Sequence, residues 1–103
     1  MKQDSVLSML GLAKRAGKIV SGEFSTEKAI KEKKAKLVIV SEDASNNTKK
    51  LFNNKCAFYK VPIIMYSDKE SIGHALGQTM RTSVGILDEN FAQAVLEKFG
   101  GLD

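Results

Sequence analysis

The chain has few of the residues that catalytic, metal-binding and disulfide-stapled proteins depend on. It holds one cysteine, one histidine and one proline in 103 residues. Cys56 alone can close no internal disulfide and build no metal cluster. It lies in a helical pattern near Phe52, where a small buried hydrophobe is the simpler reading. His74 has no partner cysteines and no neighbouring histidines, so it reads as a surface or packing residue. Neither a G-x-x-x-x-G-K-S/T phosphate loop nor a G-x-G-x-x-G fingerprint is present. No apolar run is long enough to span a bilayer, and the first twenty residues lack a secretory pattern, which points to the cytoplasm. Glu42-Asp43 follows a strand pattern, at the position where α/β enzymes often carry acids. A phosphate-accepting Asp43 would need a further acidic pair early in the chain, and residues 1–20 offer Asp4 alone. No enzyme, metal site or cofactor is therefore expected.

What remains is an ordinary globular composition, 43% apolar and 27% charged, at a length that suits one domain over residues 1–103. The net charge of +4 is unevenly distributed. Residues 1–60 carry thirteen Lys or Arg against six Asp or Glu, a net +7, and residues 61–103 carry three against six, a net −3. Such a split prepares one face for a polyanion, although lysine-rich helices are also commonly just solvated.

Periodicity gives the order of elements. Val6, Leu7, Leu10 and Ala13 fall on one face of a helix over 4–16, with Gly17 just past it. Residues 18–21 form a short strand. A second helix over 23–34 has a thin apolar stripe of Phe24, Ala29 and Ile30 among lysines, so it lies at the surface. Residues 36–41, K-L-V-I-V-S, form a β-branched run without alternation, a strand covered on both faces. Ser45 caps a third helix that sets Thr48, Leu51, Phe52, Cys56 and Tyr59 on one side. Val61 to Tyr66 make the next strand, with Pro62 at its start or at an edge. Ser67 and Glu70 have capping-box spacing before a short helix that stops near Gly77. A polar loop over 78–83 leads to a strand over 84–87. Asp88 then caps a last helix, with Phe91, Val95 and Phe99 facing inward. This alternation predicts an α/β fold with a largely parallel sheet between helical layers.

The arrangement centres on Lys14 to Lys28. There a basic helix end, Lys14 and Arg15, leads through Lys18 and a two-residue apolar segment to Ser21 and Gly22, which open the second helix. Helix-start amides lack intrahelical partners and carry a partial positive charge, so this terminus suits an anion. Glycine lets another backbone approach closely. The same pattern also fits an ordinary strand-to-helix turn, and Lys14 and Arg15 also suit a helix C-terminus without any ligand.

Several segments together resemble a known family. They are G-L-A-K-R-A-G-K-I-V-S-G over 11–22, A-K-L-V-I-V-S-E-D-A-S over 35–45, Val61-Pro62, and I-G-H-A-L-G over 72–77. In this order they resemble the kink-turn RNA-binding ribosomal proteins of the large subunit, most closely the small bacterial YlxQ-type members. The resemblance implies a three-layer α-β-α sandwich with a four-stranded mixed sheet. It implies structured RNA, of kink-turn type and including ribosomal RNA, as partner, and a monomeric protein. The positions that would enter the bend are Gly22, Glu23, Phe24 and Ser25. Lys28 would meet phosphate, and Lys69 and the loop Met80, Arg81, Thr82 and Ser83 would complete the grip. Many members have Asn-Glu or Lys-Gln where this chain has Phe24-Ser25, and those side chains contact guanines. Ser25 can exchange one hydrogen bond, whereas Phe24 can stack or pack, so base readout differs here. Two functions follow as expectations. One is a non-catalytic RNA-binding module in which Lys14, Lys18, Lys28 and Arg81 supply phosphate contacts. The other is a protein-interaction module on the same scaffold, with solvated lysines.

Overall fold

The computed structural model describes residues 4–101. Nine elements follow in the expected order: α1 (Ser5–Arg15), β1 (Ile19–Ser21), α2 (Glu23–Lys31), β2 (Leu37–Val40), α3 (Asn46–Tyr59), β3 (Ile63–Met65), α4 (Lys69–Ala75), β4 (Ser83–Ile86) and α5 (Glu89–Gly100). Local chemistry sets their starts. The carboxylates of Asp4, Asp68 and Asp88 and the hydroxyl of Ser45 each accept a backbone N–H three residues on, at 2.7–3.1 Å, satisfying a donor the helix cannot. The expected cap at Ser67 moves by one residue. Ser67 has φ +63, incompatible with the extended backbone of a cap, and Asp68 takes both the N–H and the hydroxyl of Ser71 instead.

The sheet has four strands in the order β1-β4-β2-β3. β2 and β3 are parallel, while β4 runs antiparallel to both β1 and β2. Three strands therefore share one direction, as the alternation predicts. The opposed strand lies between them, so the sheet has one parallel neighbour pair and is less parallel in its pairing than expected. The cause is the brevity of α4: seven residues rise about 10 Å at 1.5 Å each. The chain does not cross back over the sheet, and it re-enters from the end at which β3 left. Pro62 immediately precedes the edge strand β3, where its missing N–H costs no ladder bond.

Strand alternation divides the core into two layers. Leu37, Ile39, Val84 and Ile86 pack with Val6, Leu10 and Ala13 of α1, Ile72 of α4 and Val95 of α5. Val38 and Val40 pack on the opposite face with Ile30 of α2 and Phe52 and Cys56 of α3. Every residue of β2 and β4 is buried, so β2's unbroken apolar run is covered on both faces. Full burial of one such aliphatic side chain is worth roughly 1.5–3 kcal/mol, and the two layers hold more than a dozen. Gly85 sits under α2, where a Cβ would meet the Val20 Cγ2 at 3.2 Å and the Thr26 Cγ2 at 3.6 Å. That missing side chain lets α2 sit close on the sheet with only Thr26, Ala29 and Ile30 buried.

Candidate nucleic-acid interface

Because β4 runs against β1, the start of β4 lies beside the end of β1. Ser21 is opposite Val84, and the Gly22 N–H donates to the Ser83 carbonyl at 2.9 Å. Had the two strands been parallel, the 80–83 loop would have emerged at the far end of the sheet. The antiparallel strand thus joins the Gly22 turn to the Met80–Ser83 loop, which the resemblance implies but alternation does not.

Gly22 has φ +94 with open space where a Cβ would be; it is glycine because of its backbone angle, not for lack of room. As the N-cap of α2 it offers no side-chain acceptor, so the amides that follow are left to solvent or a ligand. Glu23 is exposed and Ser25 half-buried. Phe24 is 79% exposed and does not anchor α2 on the core. With Lys28, one turn on and on the same side, it borders a shallow hollow of about 220 Å³.

The facing loop is held by side-chain and backbone ties. The Ser21 hydroxyl donates to the Gln78 Oε1 at 2.9 Å and accepts from the Arg81 Nε at 3.2 Å. The Arg81 Nη1 donates to the Met80 carbonyl and the Thr79 hydroxyl. Part of its donor fork is therefore spent on its own loop, and its charge remains at the rim. The Lys69 backbone joins two further segments: its N–H donates to the Asp43 carboxylate at 3.0 Å, and its carbonyl accepts from the Arg81 N–H at 2.9 Å. Asp43 thus works as a tie between the end of β2 and α4. Met80 is 58% exposed and Thr82 half-buried. Ser83 is fully buried with an unpartnered hydroxyl; it contributes its carbonyl to the Gly22 turn and no side chain to the surface.

Three expected residues stand apart. Lys18 precedes β1, at the opposite end of the strands from Gly22, and Lys14 lies one turn before it at the end of α1. Arg15 folds back along α1: its Nη1 comes within 3.8 Å of where a Gly11 Cβ would be. It lines an open groove of about 940 Å³ between α1 and α4 that also touches His74 and Met80. Gln78 and Gly73 support the loop and were not singled out from the sequence. A Cβ on Gly73 would lie 1.8 Å from the Thr79 carbonyl oxygen, so this glycine is required by a close approach. Its presence in I-G-H-A-L-G was visible, but its neighbour was not.

Cys56 is buried in the α2/α3 layer, and burial pushes its thiol up to about 11. His74 is exposed in the last turn of α4. Among the described residues no three His, Cys, Asp or Glu side chains group as metal ligands. No described helix is long and apolar enough to cross a membrane.

Comparison with known proteins places the chain as a whole. A Bacillus halodurans protein of unknown function superposes with a TM-score of 0.92 at 33% identity, over 95% of this chain and 99% of that one. A Giardia lamblia 15.5 kD RNA-binding protein shares the fold with a TM-score of 0.79 at 21% identity, over 93% and 82%. In sequence, the RNA-binding protein YlxQ of Bacillus subtilis is 42% identical over 88 residues, covering 85% of this chain and 88% of the relative. YlxQ of Enterococcus faecium is 37% identical over 99 residues, covering 96% and 95%. The model of the ribosomal protein L7Ae/L30e/S12e/Gadd45 family matches residues 4–96, and the chain belongs to that family.

Proposed function

We propose that the protein is a non-catalytic RNA-binding protein, acting as a cytoplasmic monomer of one domain on a sharply bent, structured RNA of the kink-turn type, ribosomal RNA included. The observation that carries this reading is the β1–β4 pairing, which sets the uncapped start of α2 beside the Met80–Thr82 loop. The amides after Gly22 offer donors to the ribose-phosphate chain. Lys28, Lys69 and Arg81 offer charge, and Phe24 and Met80 offer apolar surface to an unstacked base. RNA of this kind is read by shape and by exposed bases, since side chains cannot reach into the deep major groove of its helices. The relatives named as RNA-binding proteins support the partner class.

A gel-shift series with a kink-turn hairpin and a bend-less control tests this. Preference for the hairpin is expected, and equal affinity for both RNAs would overturn shape recognition. With three phosphates neutralised, log affinity should fall against log salt with a slope of about −2 to −3. Lys28→Ala should weaken binding to both RNAs, and Gly22→Val should selectively lose the hairpin.

A second reading, a protein-interaction module, is favoured by Phe58. It is 77% exposed on α3 and packs edge-on against Tyr59 at 4.8 Å. Co-purification after ribonuclease treatment separates the two: a partner that survives, with no RNA bound, favours the second.

A further inference from the structure

The end of the sheet opposite Gly22 is also cationic. Lys18 and Lys36 immediately precede β1 and β2, and Lys33 and Lys60 end the turns that follow α2 and α3. All four are exposed. None forms an ion pair among the described residues, whereas Lys31 and Lys55 share the Glu27 carboxylate, and Lys34 pairs with Glu32. Backbone bonds fix where these lysines stand. The Lys18 carbonyl accepts from Leu87, and the Lys36 N–H donates to Ile86, so the two flank the end of β4 on either side. Two strand spacings put them about 10 Å apart. Lys60 stands before β3, on the next strand beyond Lys36. Acidic groups at this end are Asp88, whose carboxylate caps α5, exposed Glu89, and Glu32 at the end of α2, which is paired with Lys34.

The backbone adds an independent observation. Lys33 and Lys60 have φ of +61 and +60, the left-handed region that glycine occupies without strain. A helix needs no cation there to end, and glycine would end it more stably. Both helix ends of the α2/α3 layer nevertheless carry lysine at the strained position. Strain held at a surface position points to a use for the side chain.

We propose that this pole is a second nucleic-acid contact, independent of sequence and of bending, in which Lys18, Lys33, Lys36 and Lys60 hold the phosphate backbone of a second RNA helix. Lys14, one turn before Lys18, extends the row. The protein then bridges two RNA segments, one at each end of the same strands. This goes beyond the reading of the Gly22 end and does not depend on kink recognition there.

The test compares the full chain with a variant carrying Lys18→Gln, Lys33→Gly, Lys36→Gln and Lys60→Gly. The two glycines suit the left-handed backbone, so folding is retained, and circular dichroism with a thermal melt checks it. A separate Lys33→Gly/Lys60→Gly variant serves if the fourfold variant is destabilised. Binding is measured to a straight RNA duplex and to a kink-turn hairpin with short stems. The full chain should bind the duplex with a log–log salt slope of about −3 to −4, as expected for four phosphates. The fourfold variant should lose at least tenfold in duplex affinity and most of that slope, and the double variant a smaller share of both. Hairpin affinity should change less than twofold in either. Gly22→Val should show the reverse pattern. A full chain that does not bind the duplex, or lysine variants that bind it as the full chain does, would overturn the proposal. So would a full chain that binds anionic vesicles or an acidic protein in place of the duplex. Loss of kink preference with the duplex pattern intact would overturn only the reading of the Gly22 end.

Discussion

Phe24 and Ser83 were both expected at the RNA surface, and their side chains lie in opposite environments. Phe24 is 79% exposed and Ser83 fully buried. Phe24→Ala should therefore change stability by less than about 0.5 kcal/mol. If a base stacks on the ring, it should cost RNA affinity about 1–3 kcal/mol. Urea unfolding and gel shift on the same variant separate the two effects. Ser83→Ala should do the converse. Its hydroxyl has no partner, so removal is neutral or stabilising by up to about 1 kcal/mol, because an unpaired buried hydroxyl is a cost to the fold. Its carbonyl, which holds Gly22, is untouched, so RNA affinity should be unchanged. A drop in affinity would mean that Ser83 reaches the RNA after all.

At the scale of elements, α4 and the loop after it act as one unit through Gly73. A methyl group there meets the Thr79 carbonyl at 1.8 Å, so Gly73→Ala must displace the loop that carries Met80 and Arg81. The expected cost is about 1–3 kcal/mol of stability, with a several-fold loss of RNA affinity. Gly100→Ala, in open space on α5, is the control and should stabilise by about 0.5–1 kcal/mol. Matched melts of both variants check this. These two elements also show what the sequence conveys. Helix starts at Ser45 and Asp88, the doubly covered strand at Leu37–Val40 and the buried stripe of α3 were legible because they depend on neighbours three or four positions away. Strand adjacency was not, because alternation of strands and helices says nothing about which strand β4 enters beside. For the same reason the Gly22 turn was legible from its local pattern, but the Met80–Ser83 loop beside it came from the resemblance, while Lys14 and Lys18 were grouped with Gly22 by closeness in sequence. Three residues of extended chain, Ile19–Ser21, separate Lys18 from Gly22, and a strand carries its two ends to opposite poles.

At the scale of the molecule, Tyr66 connects distant parts of the chain. Its hydroxyl donates to the Asp4 carboxylate at 2.7 Å, and its ring meets Phe99 edge-on at 5.8 Å. The start of α1, the end of β3 and the end of α5 are thereby joined. Burial first, and then the hydrogen bond and charge of Asp4, push the Tyr66 hydroxyl up to about 12. An unfolded tyrosine titrates near 10. The folded state therefore holds this proton more tightly, and the associated stability is present below about pH 10 and lost as pH rises through about 12. Thermal melts should fall more steeply across that window for the full chain than for Tyr66→Phe. Equal slopes would remove Tyr66 from the account.

The position of β4 also bears on how the protein is made. It is the last strand in the sequence, yet it lies in the interior of the sheet, so a chain emerging from the ribosome has β1 unpaired and β2–β3 as an isolated pair until residues 83–86 are synthesised. Vectorial synthesis thus delays both poles of the sheet to the same late moment. A nascent chain stalled before Ser83 would display the lysines without the frame that spaces them.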